Sequence, residues 1–268
     1  MANKIVYLAN GEGDVIPVLA EDNNDGTYSL GIKAKTPTFS VGDSLTRPAN
    51  TTAYAANKSI NCSVAVTALA YALKVVTLTA ANAFAVGDHI TVAGIFAGFA
   101  VTNIDGDWIC GAGTNATTVV FTVAVQPTGT TPQTITVGTI AKMLSLDVAG
   151  IAGGGVILSE IALSMQGVAM TGAVRINVYD APITALVDQA TATALHANDA
   201  HWLSSFDLYP FTEGTGSDVA RALWTGWKML KCTVGDTRLY YEIFAEAAMT
   251  PVSGGVITMR ASGAQLLG

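Results

Sequence analysis

The sequence predicts an all-β fold: a jelly-roll-like β-sandwich with an inserted small β domain and an N-terminal β-hairpin arm. Short runs rich in Val, Ile, Thr and aromatic residues recur at fairly regular spacing, which is the pattern of a sandwich. Several alternate apolar with polar residues, as a half-buried strand should, most clearly Ala173-Val174-Arg175-Ile176-Asn177-Val178-Tyr179-Asp180. Turn residues punctuate them, at Asp25-Gly26, Gly87-Asp88, Asp105-Gly106-Asp107 and Thr250 to Gly255.

Residues 1 to 36 read as an arm. Met1 to Tyr7 goes directly into a strand-like run, without the long apolar region of a signal peptide. Val15 to Ala20 and Thr27 to Ala34 then flank Glu21-Asp22-Asn23-Asn24-Asp25-Gly26, a hairpin turn. A calcium loop is disfavoured, because the initial Asp is missing and Ile32 stands where the bidentate Glu belongs. A two-stranded hairpin is marginal by itself, so the arm is expected to dock on its own sandwich, a neighbouring subunit or the surface to which the protein attaches.

The most distinctive run is Thr46-Arg47-Pro48-Ala49-Asn50-Thr51-Thr52-Ala53-Tyr54-Ala55-Ala56-Asn57, read as a shaped loop entering a strand. Pro48 fixes its own φ and pushes Arg47 to extended conformations, while Thr51 and Thr52 can close side-chain-to-backbone turns. Tyr54 adds a large apolar body with a polar tip among small Ala neighbours. Arg47, Pro48, Thr51, Thr52 and Tyr54 therefore form the candidate structural or interface motif. The motif is either a structural corner or a place where Arg47 makes a bidentate contact with a carboxylate of a neighbouring subunit.

Residues 63 to 145 have a different texture and read as an inserted β module. Lys74 to Thr79 is a strand, Phe84 to Gly94 turns at Gly87-Asp88, Asp105-Gly106-Asp107 is a second turn, and Thr117 to Val123 is a later strand. Without the insertion, residues 37 to 62 join 146 to 268 in one sandwich. There Val156 to Met165, Ala173 to Asp180, Asp199 to Leu208, Trp224 to Cys232, Leu239 to Ala247 and Val256 to Ala261 read as strands.

Candidate chemistry is sparse. His89 follows Asp88 in a turn and reads as a surface residue, since no second His or Cys lies at ligand spacing. His196, Asp199 and His201 are the cluster worth testing for a metal, but in an extended segment 196 and 201 point to opposite faces. Gly111 to Asn115 lacks the helix and Lys of a phosphate loop, and no Ser sits in a Gly-x-Ser-x-Gly elbow. No catalytic, cofactor-binding or metal-binding residues are assigned and no cofactor is expected. Cys62, Cys110 and Cys232 are far apart and odd in number, so they are expected to be reduced and buried.

Composition narrows the partners. Only 12% of the 268 residues are charged, with mean hydropathy +0.44, so some of the surface is expected to be covered in a symmetric assembly. No run approaches the roughly eighteen apolar residues of a membrane span. With a net charge of −7 and no basic stripe, nucleic-acid binding is disfavoured.

The Thr-Arg-Pro-Ala-x-Thr-Thr-Ala-Tyr-Ala-Ala run, with Arg175 to Asp180, Leu239-Tyr240-Tyr241 and Thr250-Pro251-Val252-Ser253-Gly254, resembles a group of tailed-bacteriophage virion proteins. The insertion is similar to a small β module that recurs within phage structural proteins. The resemblance covers residues 37 to 62 and 146 to 268. It implies a capsid decoration or cement protein, a homotrimer bound to the major capsid protein on the virion surface and assembled in the bacterial cytoplasm. It also admits a tail, collar or fibre component that binds a host surface. A glycan-cleaving virion enzyme is a third class, with no recognisable acid-base pair to support it.

Overall fold

The computed structural model describes residues 4–9, 15–22, 28–30, 37–47, 53–95, 103–128, 133–134, 138–166, 172–191, 199–211, 219–250 and 253–266. All of its named elements are strands. The chain divides into two compact units, Met1–Pro37 and Thr38–Gly268.

The first unit is a three-stranded antiparallel sheet of β1 (Lys4–Ala9), β2 (Val15–Asp22) and β3 (Tyr28–Leu30), in that order. It therefore holds one strand more than the expected hairpin: the run after Met1 pairs with β2 from Lys4↔Ala20 to Ala9↔Val15. β2 and β3 pair up to Asp22↔Tyr28, and the Asp25-Gly26 turn lies outside the described residues.

The second unit begins with β4 (Thr38–Thr46), β5 (Lys58–Ser59), β6 (Ser63–Ala65), β7 (Ala68–Ala72), β8 (Val75–Thr79), β9 (His89–Ala93), β10 (Gly106–Ile109), β11 (Thr118–Thr122), β12 (Gln133–Thr134) and β13 (Thr139–Lys142). From β6 to β13 these strands make two four-stranded sheets of their own, ordered β10-β9-β13-β6 and β11-β8-β7-β12. Alternation fills the space between the two sheets. Val76 and Leu78 of β8, Val119 and Phe121 of β11, Ile90 and Val92 of β9 and Ile140 of β13 are all buried. Trp108 stacks on Phe121 with ring centroids 5.3 Å apart. Each fully buried side chain of this kind contributes roughly 1.5–3 kcal/mol of transfer free energy.

The remaining strands are β14 (Leu144–Asp147), β15 (Gly155–Gln166), β16 (Val174–Tyr179), β17 (Trp202–Phe211), β18 (Val219–Lys231), β19 (Arg238–Ala245) and β20 (Val256–Leu266). Together with β4 they form one curled antiparallel sheet, a half-barrel, in the order β14-β19-β16-β17-β18-β15-β20-β4, with β5 added beside β19. Its two end strands approach each other, since Ser145 of β14 donates its N–H to Asp43 of β4 at 3.3 Å. The concave interior holds Val156, Leu158, Ile161, Leu163, Ile176, Val178, Leu208, Ile243, Ile257 and Met259. Phe206 meets Trp224 edge-on at 4.7 Å. Those residues and the core of the inserted strands form one continuous hydrophobic cluster.

Several local expectations change. The distinctive run joins two strands: Thr46 ends β4, Tyr54 makes an isolated bridge to Met249, and Asn57 leads directly into β5. The Asp105-Gly106-Asp107 turn is instead the entry to β10. Asp105 accepts the N–H groups of Gly94 and Ile95 at 3.1 and 2.9 Å, and Asp107 accepts the Thr91 hydroxyl at 2.6 Å. Both carboxylates thus fasten β10 to the segment of β9.

Candidate functional site

Arg47 and Tyr54 both lie inside the protein. Arg47 is 1% exposed and its guanidinium carbon sits 4.9 Å from the centre of the Tyr54 ring. Its Nε donates to the Tyr54 hydroxyl at 3.2 Å, and that hydroxyl donates to Asp188 Oδ1 at 2.6 Å. The same carboxylate oxygen accepts the backbone N–H of Asn61 at 3.1 Å, while Asn61 Nδ2 donates to the carbonyls of Lys142 and Leu186 at 2.9 and 2.7 Å. The corner is held at its ends by Arg47 N–H to Gly255 at 3.0 Å and Tyr54 N–H to Met249 at 2.8 Å. Burial pushes the Asp188 carboxyl up, opposed by the Tyr54 and Asn61 hydrogen bonds and the Arg47 charge. Burial and the neighbouring Asp188 likewise push the Tyr54 phenol well up, so it remains a hydrogen-bond donor. With its guanidinium enclosed in its own chain, Arg47 is not placed for a neighbouring subunit's carboxylate. Pro48, Thr51 and Thr52 lie outside the described residues.

A second polar cluster clasps the inserted strands to the half-barrel. Asp43, on the inward side of β4, accepts Lys142 Nζ at 3.0 Å and the Tyr241 hydroxyl at 3.1 Å. Lys142 also reaches Asp88 at 3.5 Å and the Ser44 carbonyl at 2.9 Å. Burial lowers the Lys142 pKa but the two carboxylates overcome it, and the net shift is upward. His89 lies next to this clasp, half-buried on β9 rather than in a surface turn. Its Nε2 is 2.8 Å from Arg238 Nη1 of β19, a geometry in which the arginine donates to a neutral imidazole. Burial, and then the Arg238 charge, lower its pKa. Asp43, Asp88, His89, Lys142, Asp147 and Arg238 line an open polar cleft of about 230 Å³.

Little of this arrangement is reactive. His201 Nδ1 is 3.0 Å from Asp180, and His196 lies outside the described residues. Among the described residues no group of three or more His, Cys, Asp or Glu side chains is arranged to hold a metal ion. Cys62, Cys110 and Cys232 are free and buried, and burial pushes each thiol up to about 11, away from nucleophilic range.

The third feature is the outer face of β18 and its neighbours. On β18 the outward positions are Arg221, Leu223, Thr225, Trp227, Met229 and Lys231, with Tyr209 of β17 paired beside Leu223. Trp227, Met229 and Tyr209 are 81%, 68% and 66% exposed. Next to them Glu160, Ala162 and Ser164 of β15 and Thr258 and Arg260 of β20 line a shallow concavity of about 480 Å³ with Arg221 and Leu223. One signal of this face stands in the sequence. Both alternating sets of β18 carry large apolar residues, Leu223, Trp227 and Met229 on one and Trp224 and Leu230 on the other, so a single buried face does not account for the strand. The partners in the corner and the clasp carry no such signal, because they come from segments up to 198 residues apart.

Comparison with protein-family models, with curated proteins and with solved structures finds no match to this chain.

Proposed function

We propose that the chain is a structural virion protein of a tailed phage, a capsid decoration or cement protein that binds as a homotrimer to the major capsid protein. The observation that carries this reading is the pairing scheme of the curled sheet. Numbered along the chain, its strands β4, β14, β15, β16, β17, β18, β19 and β20 pair first with eighth, second with seventh, third with sixth and fourth with fifth. Nested pairing of that kind is what results when one long hairpin rolls up, the jelly-roll arrangement found in viral capsid and lectin domains. The residues from Thr46 to Asn57 and their later companions supply the phage resemblance. The polar corner built from them serves architecture: it anchors the exit from the first strand, where the inserted sheets depart.

Function on this reading is binding. A protein that attaches only to the assembled shell stabilises it by mass action, without chemistry of its own. The test is the copy number of the chain in purified virions, measured by quantitative mass spectrometry against the major shell protein. A number comparable to that of the shell protein is expected. A few copies per particle, with adsorption rather than head stability lost on removal, would overturn the cement reading in favour of a tail or fibre component.

A further inference from the structure

We propose that the outer face of β18, with Tyr209 of β17 and the adjoining surface of β15 and β20, is where a second copy of this chain docks, in a head-to-tail contact. This deepens the trimer part of the proposed function and is independent of the head placement, which copy number tests separately.

Three observations carry the inference. First, Tyr209, Trp227 and Met229 project from neighbouring strands on one face. Side chains of this size cover about 150–250 Å² each, so the three present on the order of 500 Å² of largely apolar surface. That is more than half of the roughly 800 Å² per partner that a stable interface buries, and it matches the size of the largest apolar patch on a typical monomer, about 300–600 Å² and often functional. Trp, Tyr and Met are also the residues enriched at interface centres.

Second, the Trp227 side chain is placed by the fold. The β15–β18 register shifts between Leu158 and Glu160, so that Gly226 and Trp227 lie in a bulge, a device that re-aims side chains. Gly226 is needed there: a Cβ at that position would stand 2.7 Å from Cζ2 of the Trp224 ring, which covers it. Trp224 and Trp227 are three positions apart and so lie on opposite faces of the strand, the first packed against Phe206 and the second left outside.

Third, charge selects the partner and the mode. Lys231 and Arg260 face outward here with Glu160 as the single carboxylate beside them among the described positions, on a chain whose net charge is −7. The rest of the molecule is therefore more acidic than the whole. A second copy supplies the complementary surface, whereas apposing two identical faces would set cation against cation. Head-to-tail contacts close into a ring when the rotation between copies closes, as the threefold rotation of a trimer does.

The experiment is sedimentation velocity of the full chain over a dilution series spanning the micromolar range, at low and high salt. The wild-type chain is expected as a closed oligomer of 27.5 kDa units, with added salt weakening it. Trp227→Ser combined with Met229→Ser should weaken association at least about 30-fold, the scale of an interface hot spot. Lys231→Glu combined with Arg260→Glu should also dissociate it and remove the salt dependence. Val125→Ser, at a 62% exposed apolar position of the inserted region, should leave it unchanged. Circular dichroism of each variant confirms the fold. A wild-type chain that stays monomeric throughout, or an oligomer that survives both double substitutions, overturns the inference.

Discussion

Tyr54 donates its phenolic proton to Asp188, 134 residues further along the chain, at 2.6 Å. Because the same hydroxyl accepts from Arg47, one buried oxygen links a guanidinium to a carboxylate. Tyr54→Phe removes the hydroxyl without changing the packing of the ring. It leaves a buried acceptor and a buried donor with one partner fewer, so a loss of about 1–3 kcal/mol is expected in urea unfolding. Arg47→Ala removes the cation as well and should cost more, about 3–5 kcal/mol. If Tyr54→Phe unfolds at the wild-type urea concentration, the corner is not a stabilising element.

The pair His89 and Arg238 predicts an acid-sensitive clasp. The imidazole is neutral in the folded chain, held so by burial and then by the arginine, with Asp236, Asp88 and Asp107 acting in the opposite direction. An unfolded chain takes up the proton near the ordinary histidine value of 6.5, above the folded value. Stability is therefore fully present above that pH and is lost as pH falls from there through the lowered folded pKa. Urea midpoints measured on either side of pH 6.5 should show this fall in the wild type and a shallower one in His89→Gln. Parallel profiles would assign the acid sensitivity to other groups.

How much of this was legible in the sequence follows from the range of each interaction. The strands β8, β11, β15, β16 and β19 could be read because each carries its own alternating or β-branched run, and a strand reports its buried face locally. β4 was harder to read: Gly42 and Asp43 interrupt its pattern, and Asp43 points inward only because Lys142 and Tyr241 come from distant segments to meet it. The same reason hid the burial of His89, which depends on Arg238, 149 residues away. Short strands such as β5 and β12 are strands only by virtue of their partners. Arg47 and Tyr54 were singled out by residue type, but Asp188, which gives the corner its sense, lies in a stretch with no motif.

Glu242 predicts a pH dependence of the opposite sign. It is buried, its Oε2 accepts from Tyr179 at 2.5 Å, and its Oε1 has no hydrogen-bond partner among the described residues. Burial raises its pKa above 4.5, against the Tyr179 hydrogen bond. The folded chain therefore holds this proton to higher pH than the unfolded chain, and stability declines as pH rises from about 4.5 through the raised value. Glu242→Gln keeps an acceptor for Tyr179 and abolishes the titration. Its unfolding free energy should vary less over that window, and an unchanged slope would show that Glu242 does not contribute.

Lys142 is the cation on which the clasp depends, because two carboxylates from different parts of the fold converge on it with only 13% of its side chain exposed. Lys142→Met keeps the length of the side chain and leaves Asp43 and Asp88 facing each other. A loss of about 3–5 kcal/mol is expected, the cost of leaving buried charge unpaired. Pairing it with Asp43→Asn should recover part of the loss, since the charge that needed compensation is then gone. Additive effects in that double variant would mean the two residues act independently.

The N-terminal sheet offers a test of where attachment resides. Its three strands satisfy one another's backbone groups, and the contact pattern separates Met1–Pro37 from Thr38–Gly268, whose hydrophobic cluster draws on its own strands. A chain lacking residues 1 to 36 is therefore expected to fold, with the melting temperature of the larger unit preserved. If the arm is what fastens the protein to its particle, the truncated chain should no longer bind particles stripped of the full-length protein, while still showing its own cooperative unfolding. Binding equal to that of the full chain would transfer attachment to the body and leave the outer sheet face as the next surface to mutate.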